Sequence, residues 1–289
     1  MKLIVLFISI VFSSILCYAQ TDSTTTTATD SLPKKKSTFT IATVYANNAS
    51  YYGQRAAEAT PYIALSATYQ FKSGIYINGL AYKILTENNP DISAANLGAG
   101  INFKLSKKIA ADISYTHSFY PSLSPLMQSV NTENASVGLT HKSWLETSIT
   151  GDYAFGKTND VFVTGGLAKD INLFSIGKKD VVSVKPSAQV VAGTQRFYKT
   201  YATEQKMRDS LFGIITGPIF GTPPADNNST TVATNSFDLL SYNLEIPLSY
   251  NRAHYVLQAA YQLSVLSNKV QSGAGQTNSF FTLSFYYQF

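Results

Sequence analysis

From Ser37 to Phe289 the chain repeats one pattern about twelve times: some ten residues with large apolar side chains at every second position, then a turn-rich stretch. At the carboxyl end, Phe281, Leu283, Phe285, Tyr287 and Phe289 alternate with Thr282, Ser284, Tyr286 and Gln288. A period of two belongs to strands, whose successive side chains point to opposite faces. Beyond the amino-terminal segment no uninterrupted apolar run reaches the roughly 18 residues that a spanning helix needs. A terminal strand this apolar on one face would be an aggregation hazard at the edge of a soluble sheet. In hydrocarbon the same face is at home.

The other segments carry the same signal. Phe39, Ile41, Thr43 and Tyr45 share a face, then Ile63, Leu65, Ala67, Tyr69 and Phe71. In the third, Ile75 and Ile77 compete with Tyr76, Leu80 and Tyr82 for the outward face, so its register stays open. Leu97 to Leu105, Ile109 to Phe119, a short segment around Val137, Leu145 to Phe155 and Val161 to Leu167 follow. Val182 to Ala192 is interrupted by Pro186, and Leu240 to Tyr250, Tyr255 to Val265 and the closing segment complete the set. The intervening positions hold mostly Ser, Thr, Gln, Gly and Ala, and no segment supplies a helical layer, which weighs against a soluble β-sandwich.

The connections alternate between long (46–61, 86–93, 121–133, 203–236) and short (72–73, 106–108, 142–143, 251–252). Short turns at one end and long loops at the other are the arrangement of a membrane barrel with its short turns in the periplasm. Two stretches break the rule. Gly156 to Asp160 is short where a long loop is due, and Lys169 to Asp180 is correspondingly ambiguous.

The amino terminus reads as an export signal over residues 1–19: Lys2, an apolar core from Leu3 to Leu16, and small residues at Cys17 and Ala19 before a cut ahead of Gln20. A lipoprotein signal wants a small residue before its cysteine, and Leu16 stands there. Cleavage leaves no cysteine, hence no disulfide or thiolate metal site. Residues 20–36 are polar and aperiodic, a flexible periplasmic arm, and 37–289 form the barrel. The formal net charge of +5 falls by one with Lys2, too small and scattered an excess for nucleic acid. The 19 Tyr and 17 Phe against one Trp suit strands facing lipid and its interface.

With its alternation and its final aromatic, the stretch from Phe281 to Phe289 resembles the closing strand of bacterial outer-membrane β-barrels. Gln20 after the cut is similar to exported proteins of Bacteroidota. The resemblance implies an all-β, antiparallel up-and-down transmembrane barrel of about twelve strands in the outer membrane. Phe281, Leu283, Phe285, Tyr287 and Phe289 would then be read by the barrel-assembly machinery and would face outer-membrane lipid.

Motifs for chemistry are weak. Gly151 to Thr158 fits the phosphate-loop spelling, but Tyr153 and Phe155 continue a strand and Val161 to Val163 begin another, where the motif needs a following helix. His141-Lys142-Ser143 is similar to the histidine-x-serine element of outer-membrane phospholipases and lipid A deacylases. In the deacylases an orienting residue lies about a dozen positions past the serine, and Phe155 is found there; Asp152 and Glu146 are the nearest substitutes. His117 and His254 lie far apart without neighbouring ligands, so no metal or cofactor is expected.

If the aromatic faces meet lipid, Asp112, Glu146, Asp152, Lys185, Glu245, His254, Gln258 and Gln262 point into the lumen. The long loop holds Arg208, Leu211, Phe212 and Ile214, an apolar stretch that would either constrict the barrel or contact an envelope protein partner. Three functions follow: a porin-like or solute-specific channel first, a structural or partner-binding barrel second, and a lipid-modifying enzyme as a remote third. The expectation is no enzyme.

Overall fold

The computed structural model describes residues 36–50, 52–53, 59, 61–85, 92–119, 131–156, 159–194, 237–270 and 274–289. The expected signal and all of the arm except Lys36 lie outside the described residues.

Alternation becomes strands throughout. They are β1 (Thr38–Ala46), β2 (Tyr62–Gln70), β3 (Ile75–Ile84), β4 (Ala94–Lys104), β5 (Ile109–Phe119), β6 (Asn131–Lys142) and β7 (Glu146–Gly156). Next come β8 (Asn159–Ala168), β9 (Ile171–Phe174), β10 (Asp180–Val184), β11 (Ser187–Thr194), β12 (Phe237–Arg252), β13 (Tyr255–Leu266) and β14 (Thr277–Gln288). Neighbours from β1 to β8 pair antiparallel; β8 then pairs with β11, β11 with β12, and β12 with β13 and β14. β14 returns to β1, from Thr40 opposite Gln288 to Ala46 opposite Thr282. The result is a closed antiparallel barrel of twelve strands.

The two short strands explain the ambiguous stretch. β9 continues β8, and β10 continues β11 across Lys185 and Pro186, so the pieces form one long hairpin. β12 is long enough to pair with both, Phe237 to Glu245 with β11 and Leu248 to Arg252 with β10. Proline has no N–H to give the ladder. Its carbonyl still accepts from Lys169 N–H at 3.1 Å, and Lys185 N–H reaches Pro247 O at 3.1 Å, so the hairpin stays joined across the break. Asp180 Oδ1 closes the tip by accepting the N–H groups of Ile176 and Gly177, each at 2.8 Å.

Sterics settle other details. In β3, Ile75 and Ile77 face outward while Tyr76, Leu80, Tyr82 and Ile84 are buried inside. The segment around Val137 is a full strand with a bulge between Asn131 and Glu133; Ser, Gly and Thr positions hid its length. Gly74, at φ +96°, makes the turn before β3, where a Cβ would lie 2.1 Å from Asn102 O.

The barrel is inside-out relative to a soluble protein. Leu65, Leu97, Val137 and Ile149 stand exposed on the outer wall, and Leu65 is 57% exposed. Aromatic side chains collect at both ends of this belt. Phe289 meets Phe39 at 5.7 Å and Tyr287 at 4.7 Å, with Tyr255 and Phe285 nearby, at the short-turn end. Tyr153, Phe155 and Tyr115 group at the long-loop end. An apolar band between two aromatic girdles is the surface of a barrel that spans a bilayer.

Leu65→Arg tests that assignment. On a soluble surface such a change is close to neutral. Near the middle of a lipid-facing strand it costs about 2–4 kcal/mol. Urea titration of the barrel in vesicles is expected to show that loss, and an unchanged midpoint would mean that this wall does not meet lipid.

Candidate functional site: the barrel interior

Inward side chains form two tiers. In the short-turn half the buried Tyr76 and Tyr286 stand among half-buried polar groups. Tyr76 donates to Asp112 Oδ1 at 3.1 Å, and Gly100 lets it do so: a Cβ there would sit 2.5 Å from the phenol ring. Lys185 Nζ pairs with Glu146 at 3.0 Å and lies 3.8 Å from Asp170. Glu245 stands opposite Ser187 on one side and Gln262 on the other. Gln262 donates to Ser264 at 2.8 Å, and Gln258 faces Ser284 of β14. Seven of the eight residues expected in the lumen point inward.

His254 does not. The tight turn falls at Ala253-His254, two residues later than expected, because β12 keeps Asn251 and Arg252 in register with Val256 and Tyr255. His254 is therefore exposed at the rim, where its Nδ1 lies 3.2 Å from Gln288 O and its ring stacks near Tyr287.

The long-loop half is more closed, and its walls differ. On β1 to β4, Val44, Ala46, Tyr62, Ala64, Leu80, Tyr82, Ile84 and Ala94 bury one another inside the barrel, with Ala49 of the first loop. Facing this apolar lining is a polar wall: Asn96, Ser118, Asn131, Asn134, Ser136, Asp152 and Asp160 are all buried. Asp160 accepts from Asn131 at 2.8 Å and from Thr194 at 2.7 Å. Asp152, only 2% exposed, lies across the ladder from Ser136.

The described part of the first loop joins the far walls together. Asn47 locks onto β14 by exchanging hydrogen bonds with the backbone of Phe281. The chain then turns inward. The Tyr52 ring stacks on Phe162 of β8 at 4.2 Å, and its hydroxyl lies 3.4 Å from Asp152 Oδ2. On the other side Ser241 donates to Tyr52 O at 2.6 Å, and Asn278 donates to Gly53 O at 3.0 Å. Tyr52-Gly53 thus crosses the lumen between β7–β8 and β12–β14. The constriction expected from Arg208, Leu211, Phe212 and Ile214 lies outside the described residues.

Phe162 was the available clue. It sits between the outward Val161 and Val163, so it must point inward, and a phenylalanine inside a barrel needs a cover. Nothing in the local pattern names Tyr52 as that cover.

The serine-hydrolase arrangement is not assembled. His141 faces outward at the short-turn rim, and Ser143 donates to Leu145 O at 2.9 Å. Both substitute carboxylates, Asp152 and Glu146, lie on the inner face, engaged as described. His117 does have a partner: its Nδ1 lies 2.6 Å from Glu133 on the outer wall, and Tyr115 also donates to that carboxylate. Ring contacts with Phe119 make this a polar island in the long-loop girdle. The phosphate-loop spelling falls on β7 running into β8, strand to strand. Among the described residues no cluster of His, Cys, Asp and Glu could hold a metal.

No protein-family model matches the chain, and neither does any curated protein. Solved structures with a similar fold include the KdgM porin, at 9% identity and a TM-score of 0.48 over 86% of this chain and 99% of that one. An outer-membrane channel from Pseudomonas putida F1 aligns at 11% identity and a TM-score of 0.44, over 90% of this chain and 97% of that one. LpxR from Salmonella typhimurium aligns at 7% and 0.43, over 86% and 99%.

Gly53 is the test of the constriction. Its φ is +88°, and a Cβ would lie 2.5 Å from Asn243 Oδ1 and 3.0 Å from Ser264. Left-handed backbone costs a non-glycine residue roughly 1–2 kcal/mol, before the overlap is counted. Gly53→Ala is expected to lift the segment off β12–β14. A cysteine placed at Ser136 should then react several-fold faster with a thiol reagent than in the parent background, and equal rates would mean that the segment does not cover the wall.

Proposed function

We propose that this chain is a porin-like channel of the bacterial outer membrane, passing small polar or cationic solutes through a lumen narrowed by Tyr52 and Gly53. One observation carries the reading: Asp112, Asp152 and Glu245 face inward and form no ion pair among the described residues. Buried charges kept only for structure tend to be paired. A path for ions uses them unpaired.

The short-turn rim would face the periplasm, a reading supported by Thr38 at the start of β1 and Gln288 at the end of β14, which both lie at that rim. Export would use residues 1–19 with a Bacteroidota-type Gln20 at the new terminus, leaving residues 20–36 as the arm. Insertion would use the barrel-assembly machinery, reading Phe281, Leu283, Phe285, Tyr287 and Phe289, all outward and exposed. Lipid is the partner around the belt, and no catalysis is assigned to the chain.

A structural or partner-binding barrel is the second reading. It is favoured by the two-sided anchoring of Tyr52-Gly53, which holds the mouth narrow.

Planar-bilayer recording of the refolded mature chain separates the two. In a salt gradient the channel reading expects cations to be favoured. One inward charge a few ångströms from a hydrated ion contributes about 0.5–1 kcal/mol, a two- to fivefold bias. The double variant Asp112→Asn, Glu245→Gln should move the permeability ratio toward unity. Anion preference would overturn the ionic reading. No conductance from either the wild type or Gly53→Ala would favour the structural barrel.

A further inference from the structure

The short-turn rim carries a charge pattern that neither channel nor structural barrel requires. Lys107, Lys108, Lys178 and Lys179 are exposed on the connections after β4 and β9, and Lys104 and Lys142 are exposed at the last positions of β4 and β6. Lys72 continues the arc on the turn before β3. The two rim carboxylates are already committed. Asp170 lies against Lys185, and Asp180 accepts from the turn amides and from Tyr250 at 3.0 Å. Lys104, Lys107, Lys108, Lys178 and Lys179 form no ion pair among the described residues.

Apolar side chains stand among these ammonium groups. Trp144, the one tryptophan of the chain, is 77% exposed on the turn after β6, and Ile176 at the hairpin tip is 72% exposed. Leu105, Ile171 and Leu173 are exposed at the same rim, the last two in phase with outward Leu167 and so continuous with the lipid-facing belt. Lys169 bridges the two chemistries. Its ammonium donates to Trp144 O and lies 5.6 Å from the centre of the Trp144 ring. A surface for a soluble polyanion would leave these apolar groups in water. An interface in which alkyl stems lie among acyl chains and ammonium groups rise to phosphate depth satisfies both.

We infer that the rim from β4 to β10 is a binding surface for anionic phospholipid headgroups, which it gathers in the leaflet that the short turns face. The inference rests on the bilayer-spanning reading above. The ligand chemistry is a lipid phosphate with net negative charge, as in phosphatidylglycerol. Attraction of one lysine to such a surface corresponds to about a fivefold local enrichment.

Because Trp144 is alone, its fluorescence reports from inside this arc. The mature chain is inserted into vesicles of phosphatidylcholine with a minor fraction of phosphatidylglycerol, with bromine on the chains of one lipid or the other. Per brominated molecule, phosphatidylglycerol is expected to quench Trp144 several-fold more than phosphatidylcholine. Raised salt, or the combined variant K104Q, K107Q, K108Q, K178Q and K179Q, should bring the two to parity, while K107R with K108R keeps the preference. Parity in the wild type at low salt overturns the inference and leaves the barrel in the membrane. Quenching by neither lipid overturns the bilayer reading along with it. The comparison within the wild type needs no variant to fold.

Discussion

Closure is the constraint on which the rest depends. A strand in hydrocarbon has no water to satisfy its amides, so each edge must find another strand. Here the last strand answers the first: β14 lies between β13 and β1, and the seam from Thr40–Gln288 to Ala46–Thr282 leaves no open edge along it. The last strand must therefore be apolar on its outer face to the end, and Phe289 N–H still bonds Phe39 O. A soluble sheet would end such a strand with a charge or a proline. This chain ends it with an aromatic that belongs to the girdle.

Solvent explains what was legible beforehand. Lipid imposes the same demand at every outward position, so the outer wall repeats and can be read residue by residue, from Phe39 to Phe289. The twelve-strand ring was legible for that reason, including the strand broken by Pro186. The interior has no uniform demand. Whether Leu80 and Tyr82 face in or out depends on Ile75 and Ile77, which compete for the same wall, and only three-dimensional packing decides it. The internal apolar lining of β1 to β4 was accordingly invisible behind an expectation of a polar lumen. His254 was misplaced by a smaller error, a two-residue displacement of one turn, which in a period-two structure moves a side chain from wall to rim.

Glycine shows the same divide between local and long-range causes. Gly74 is needed by its own turn, at φ +96°, an effect readable from neighbours in sequence, and also by Asn102 of β4, whose carbonyl O a Cβ would meet at 2.1 Å. Gly100 and Gly53 are needed by residues far away, Tyr76 with Asp112 in one case and Asn243 with Ser264 in the other. Such glycines carry no local signal because their reason is space, not conformation alone. Both lie where a side chain or loop crosses the interior.

The two ends of the barrel use charge differently. At the short-turn rim, Lys107, Lys108, Lys178 and Lys179 are exposed together with Leu105, Trp144 and Ile176. Inside, among the described residues, Asp112, Asp152, Asp160 and Glu245 face the lumen beside Glu146, which holds Lys185. Opposite charges that close together would neutralise each other are kept on separate surfaces. Coulomb attraction between them is weak across solvent at rim distances and screened within about 8–10 Å by salt. Each surface can therefore act on its own partner, the rim on what surrounds the barrel and the lumen on what enters it, and a change to one set of charges leaves the other set's field nearly intact.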